Sequence, residues 1–376
     1  MPGEVCYYPV RNGDTTLITT PSGERVLVDC KFIDEDPPYD VRSDLTDRLD
    51  EREGRPYLPA FILTHGDEDH CLGFERAFHT GPPSEYVVDE EDEHPPILIG
   101  TLWFSPHILS DEELCPDAEA YKNEAERRLE LHRERAPEKD TPGNRIVVVG
   151  YKSDEGFEGL PDDIVFPAGS LIESVDHVAQ PDFRMFVHAP FRDSLDNEAV
   201  QRNDTSIAFM AAFGEGGENE SAFFFGGDAN YAVLEEILRQ TRLHENEKWL
   251  EYDVLQTPHH CSWSTFNETP YAENDEPSSE VLELLECKRE GARIIASSKP
   301  IEDDDDNPPH LPAKDEYVKV VGTEQFFCTS EHPDEDNPQP IVFTVTSEGP
   351  KLERTASADV AAAGIATQQQ STPEYG

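Results

Sequence analysis

Four side chains able to ligate a metal fall within six positions of the segment Leu63-Thr64-His65-Gly66-Asp67-Glu68-Asp69-His70: His65, Asp67, Asp69 and His70. Imidazole nitrogen and carboxylate oxygen suit zinc, manganese or iron, and two such ions need about this many protein ligands. Further candidates follow at Asp228, in Phe225-Gly226-Gly227-Asp228-Ala229, and at His259 and His260 after Pro258. Acids fill 80 of 376 positions, so the closeness of Asp67 and Asp69 says little; histidines number only 13, so the spaced pair His65/His70 and the adjacent pair His259/His260 discriminate. A purely structural account of His65, His70, Asp228 and His259 together is improbable. The chemistry such a set can do is hydrolysis, with one carboxylate, best Asp228, shared by two cations and a water that ionises near neutral pH.

Rigid elements must bring these residues together. Ala60 to Leu63 and Ala222 to Phe225 are apolar and read as buried strands, the second ended by a glycine turn. Tyr252 to Gln256 is a third strand before Pro258. Three strand ends therefore each present ligands, strands fixing position and loops carrying chemistry. Other strands are expected at Val5–Tyr8, Thr15–Thr20, Arg25–Asp29, Leu102–Phe104, Arg145–Tyr151, Ile164–Pro167, Phe183–His188, Ser206–Phe213, Arg293–Ala296, Gln325–Thr329 and Ile341–Thr346. Helices are expected at Tyr39–Glu51, Asp111–Arg135 (capped by Ser110 or Asp111), Tyr231–Arg242 and Ser279–Arg289. Residues from about 79 to 163 read as an insertion that covers or shapes the site, and residues after about 353 as a disordered tail.

The formal net charge is -50, from 30 basic and 80 acidic residues spread along the chain. Such self-repulsion is best tolerated in concentrated salt, which points to a salt-adapted cytoplasmic protein. A duplex-binding surface is disfavoured at low salt, but screening prevents charge alone from deciding the substrate. The seven cysteines form no CxxC pair, and free thiols in a reducing cytoplasm are expected. Cys71 and Cys261, each following a candidate histidine, read as small buried side chains rather than thiolate ligands. No leader and no apolar run of about 18 residues is visible, so no membrane span is expected.

Beyond the ligand cluster, the order Asn12-Gly13-Asp14, Val26-Leu27-Val28-Asp29, Thr64 to His70, Asn203-Asp204-Thr205-Ser206, Gly227-Asp228 and Pro258-His259-His260-Cys261-Ser262 resembles the metallo-β-lactamase-fold hydrolases. The similarity is greatest to the hydrolase domain of the ComEC competence DNA-uptake protein and its stand-alone relatives. It covers roughly residues 5–78 and 183–345. The resemblance implies an α+β fold, a four-layer αββα sandwich, occupying residues 1–352. It implies two divalent ions, zinc or manganese, one held by His65, Asp67 and Asp228 and the other by Asp69, His70, Asp228 and His259. Asp69, Asp228 and His260 would be catalytic, and Asn203, His260 and Ser262 would bind substrate, with His259 and His260 open to an exchange of the ligand role. Asp67 stands where the family's hallmark has a second histidine, and Cys261 where a glycine is usual. The family's intermediate histidine has two candidate counterparts, His188 and Asn203; a structural histidine is the commoner role for His188. Asp14 and Asp29 are expected to support ligands from behind. His310 and Lys314 read as loop residues. Trp263 and Phe266 are either core or a surface for stacking a base.

The residues alone support metal-assisted hydrolysis; the resemblance implies that the bond cleaved is a phosphodiester in a nucleic acid or nucleotide. Alternatives are a thioester, lactone or small phosphonate substrate, or a catalytically silent scaffold serving an unidentified partner protein in DNA uptake or defence.

Overall fold

Side chains in the central strands alternate between two apolar environments, as period-two pleating requires. Val5 and Tyr7 point one way and Cys6 and Tyr8 the other; Phe209, Ala211 and Phe213 oppose Ala208, Met210 and Ala212. The computed structural model describes residues 2–87, 94–154, 156–195, 201–214, 220–304 and 308–353. Its mixed α+β architecture is built on two large sheets.

A nine-stranded sheet runs in the order Gly349–Leu352, Ile341–Thr346, Glu4–Tyr7, Thr16–Thr19, Arg25–Val28, Arg55–Ile62, Leu98–Phe104 and Arg145–Val148, with Asp50–Arg52 paired to Arg55–Ile62. A seven-stranded sheet runs Phe326–Cys328, Lys288–Ala296, Tyr252–Gln256, Ser221–Phe225, Ala208–Phe213, Phe183–Ala189 and Leu171–Ile172. One buried cluster joins the sheets, with Val26, Ile62 and Trp103 from the first meeting Phe209, Phe225 and Val254 from the second. The opposite face of the first sheet packs through Phe61 and Leu102 against Phe74 and the helix Pro116–Arg133 (Tyr121, Ala125, Leu129). The far face of the second sheet covers itself with Tyr231–Leu243, Ser279–Leu285 and Leu311–Val321.

Parallel pairing sets the site's location. Arg25–Val28 runs parallel to Arg55–Ile62, and Ser221–Phe225, Tyr252–Gln256 and Lys288–Ala296 run parallel in series. The loops after Val28, Ile62, Phe225, Gln256 and Ala296 therefore leave the carboxyl ends of their strands, where parallel sheets gather ligands.

Several local expectations need correction. The 18-residue helix begins at Pro116, not near Asp111, because Pro116 favours the first helical position and the Cys115 side chain accepts from Ala118 N–H. The helix at Ser279 ends at Leu285, and the strand starts at Lys288. Lys314 does not lie in a loop but within the helix Leu311–Val321, and His310 directly precedes that helix, its ring accepting from Trp263 N–H rather than capping it. Ile164–Pro167 forms a single bridge at Val165 instead of a strand. Within the segment 79–163, two strands extend the first sheet and the long helix packs on it. The tail expected after about residue 353 falls outside the described residues. Among the described residues, no helix is long and apolar enough to cross a membrane.

Candidate metal centre

Asp228 sits at the middle of the site. Gly227 adopts φ +51°, and a Cβ there would lie 2.6 Å from Ser206 Oγ. That position requires glycine, and the turn delivers Asp228 between the loops. The His259 N–H donates to Gly227 O at 3.0 Å, tying the loop after Gln256 to the loop after Phe225. His259, His260 and Cys261 all take left-handed φ values of 50°, 52° and 66°. Three such residues in a row cost of order 1–3 kcal/mol each, and that strain aims both imidazoles inward.

The two carboxylate oxygens of Asp228 face different sets of ligands. Oδ1 is 3.0 Å from His70 Nε2 and 3.6 Å from His260 Nε2. Oδ2 is 3.5 Å from His65 Nε2 and 3.8 Å from His259 Nε2. Asp67 Oδ2 joins the second set, 3.3 Å from His65 Nε2. Asp69 Oδ2 joins the first, 3.2 Å from His260 Nε2. Ligand atoms of Asp14, His70, Asp228 and His260 lie within 4.8 Å of one another, and so do those of His65, Asp67 and Asp228.

Each imidazole is fixed from behind through Nδ1. His70 Nδ1 meets Asp29 Oδ2 at 2.7 Å, and Asp29 also accepts from Thr64 N–H and Oγ1–H, each at 2.7 Å. His65 Nδ1 is 3.2 Å from Ser206 Oγ, which accepts from Asp228 N–H at 3.1 Å. His260 Nδ1 donates to Ser297 O at 3.1 Å, and Ser297 Oγ donates to Gly13 O at 2.7 Å. His259 Nδ1 is 3.0 Å from Ser264 Oγ. This arrangement, one ring nitrogen held and the other presented, is the usual preparation of metal-ligating histidine.

The residues fit cations. His65 Nε2, Asp228 Oδ1 and Asp14 Oδ1 are buried and, despite the charged groups close to them, make no hydrogen bond of normal geometry, a need that an ion would meet. Burial and the charge of His70 oppose protonation of His65, yet Asp228 and Asp67 raise it to about 9. Burial likewise opposes protonation of His260, which Asp228, Asp14 and Asp69 raise to about 10. The carboxylates thus demand positive charge, and protons on imidazole supply it where no metal does. Burial pushes Asp69 up, but the hydrogen bond from His260 and the His70 charge hold it below the usual carboxylate range.

The expected residues His65, Asp67, Asp69, His70, Asp228, His259 and His260 are therefore brought together, and Asp14 joins them. The division differs from the one implied above. His260 is the buried imidazole beside Asp69 and His70, whereas His259, 26% exposed in its side chain, faces the Asp228 oxygen shared with His65. His188 lies elsewhere, its Nε2 bonded to Trp249 O at 2.9 Å and its ring against Phe186 and Phe224. Asn203 lines an open cavity with Asp67, His107 and Arg202. Ser262 does not open toward substrate: it is buried, caps the turn Trp263–Thr265, and its hydroxyl accepts from Ser264. Trp263 and Phe266 are core, stacked on each other.

Arg202 went unrecognised in the sequence. Its Nη1 donates to Asp67 Oδ1 at 2.7 Å while its Nε and Nη2 engage Asp111. Burial works against ionisation of Asp67, but His65 and Arg202 lower it to about 2. The available signal was a rare cation directly before Asn203-Asp204-Thr205-Ser206. No protein-family model matches the chain, and no curated protein matches it significantly.

Proposed function

We propose that this chain is a metal-dependent hydrolase with the αββα architecture of the metallo-β-lactamase fold, acting on a phosphodiester. The observation that carries the reading is the convergence of His65, His70, His259 and His260 through Nε2 on the two oxygens of one carboxylate, each ring anchored at Nδ1. In this reading Asp228 would be a ligand common to two divalent-ion positions, taking zinc or manganese. His65, Asp67 and His259 complete one position; Asp69, His70 and His260 complete the other, with Asp14 at its edge. Bound ions supply Lewis acidity and a water ionised near neutral pH.

The chain's own groups do the rest. Asp29, Ser206, Ser264 and Ser297 hold the imidazoles in one tautomer and one direction. Asp69, partly exposed beside His260, is placed to orient the attacking water and take its proton. Arg202 keeps Asp67 ionised and fixed. Asn203, at the mouth, is placed to donate to a non-bridging oxygen.

A second reading draws on the mouth itself. The cavity of about 690 Å³ beside Asp67 is lined by Asp111, Glu112 and Glu113, and the cation there, Arg202, already serves Asp67 and Asp111. Such a rim favours a small, weakly charged ester, such as a thioester or lactone, over a polyanion.

The test is metal quantification after purification in multimolar potassium chloride, with hydrolysis of bis-p-nitrophenyl phosphate, single-stranded DNA and a thioester panel. Up to two ions per chain, with phosphodiester turnover abolished in His70→Ala, is the expected result. Full turnover in a metal-stripped His70→Ala variant would end the mechanism, and a preference for thioesters would select the second reading.

A further inference from the structure

Cys71 directly follows His70 in the turn that carries the ligands, and its Sγ lies 3.7 Å from Cys115 Sγ. The other side of that contact is the start of the 18-residue helix Pro116–Arg133, which Cys115 caps by accepting from Ala118 N–H. A helix N-terminus favours the thiolate. Cys71 is fully buried and Cys115 is half-buried, so one sulfur is reachable and its neighbour waits behind it. The close contact with Cys71 holds Cys115 below the usual thiol range, against the effect of burial. The remaining half-buried thiol, Cys287, is raised by burial.

We infer that Cys115 and Cys71 form a peroxide-sensitive thiol pair, with Cys115 the reacting sulfur and Cys71 the resolving one, coupled mechanically to the metal-ligand turn. The Cys115 thiolate attacks one oxygen of a hydroperoxide, the O–O bond breaks, and the departing oxygen leaves as water or alcohol after taking a proton. Cys115 is then a sulfenic acid. The Cys71 sulfur displaces its hydroxyl, the S–S bond forms, and the Cys71 proton leaves with the hydroxide as water. Two thiols have lost two electrons and two protons, and one hydroperoxide has been reduced.

Coupling follows from how the turn is attached. Asp117, in the first turn of the same helix, accepts from Gly73 N–H at 2.8 Å and Glu75 N–H at 2.9 Å, and Cys71 Sγ donates to Asp67 O at 3.3 Å. A disulfide is about 2.05 Å long, so closing the 3.7 Å gap removes the Asp67 contact and moves the peptide that bears His70.

The test uses the full chain in concentrated potassium chloride. Limiting iodoacetamide near neutral pH should label Cys115 about tenfold faster than Cys287. Hydrogen peroxide should give a Cys71–Cys115 cross-linked peptide that dithiothreitol reverses, and Cys115→Ser, which retains a good helix cap, should give none. In Cys71→Ser, dimedone should trap Cys115 as its sulfenic acid. Manganese retention, read by paramagnetic resonance, should fall about tenfold in oxidised wild type and not in peroxide-treated Cys115→Ser. Preferential labelling of Cys287, or pairing of Cys71 with Cys30, would overturn the pair. A Cys71–Cys115 disulfide with unchanged manganese retention would overturn the coupling. The thiol results do not depend on hydrolase activity, so they stand apart from the outcome of the metal and turnover assays.

Discussion

Two regions of this molecule bury histidine and treat it in opposite ways. His70, fully enclosed between Asp228 and Asp29, is raised well above its ordinary value because those carboxylates outweigh burial. His188, equally enclosed, is lowered to about 4 by burial, with the Trp249 carbonyl as its opposing partner and aromatic rings around it. Burial is common to both, so it cannot identify a ligand. What separates them is whether carboxylates around the ring call for more positive charge than the protein supplies.

The largest test of that contrast removes the charge at its centre. Asp228→Asn keeps the shape and takes away the central anion; bound metal and, on the proposed function, all phosphodiester turnover should be lost, as measured by elemental analysis and phosphodiesterase assay. Retention of the metal would break the comparison. Next is Asp29→Asn, which leaves His70 in place but weakens its anchor. Metal affinity should fall by about 10–100-fold, read by chelator competition.

His188 gives the opposite prediction. Its proton affinity is lower in the folded state than in the unfolded chain, so its contribution to stability is present above about pH 6.5 and is lost as pH falls toward 4. His188→Phe should remove up to about 3 kcal/mol of acid destabilisation over that range, measured by denaturant unfolding at fixed salt, without changing metal content. Loss of metal in this variant would place His188 with the ligands after all. The smallest effect belongs to Arg202→Met. It frees Asp67 from its outer partner and should loosen metal held by the His65, Asp67 and Asp228 group by up to about tenfold, seen as easier removal by a chelator.

The convergence of these histidines and aspartates was legible because histidine is scarce in this chain and the strands before it are apolar. Tyr252–Gln256 and Ile341–Thr346 were also readable, since β-branched and aromatic residues there are bounded by turn formers. The helix Leu311–Val321 was not: it carries a proline and three valines, and its stability comes from packing Ala313 and Tyr317 into the second sheet's outer cluster. Lys288–Gly291 is polar and at most half-buried, so its addition to the strand depends on pairing with a neighbour distant in sequence. The assignment of His259 and His260 was illegible for a geometric reason. Adjacent residues in left-handed backbone send their rings to different oxygens of Asp228, and no spacing rule for helix or strand anticipates that.

That run of left-handed backbone also bears on how the protein could change. Glycine at positions 259, 260 or 261 would relax the chain, so a screen rewarding thermal robustness alone would drift toward it. At the first two positions the same drift would erase an imidazole. Robustness and chemistry therefore pull this tripeptide in opposite directions, and lineages that keep His259 and His260 must find their toughness elsewhere.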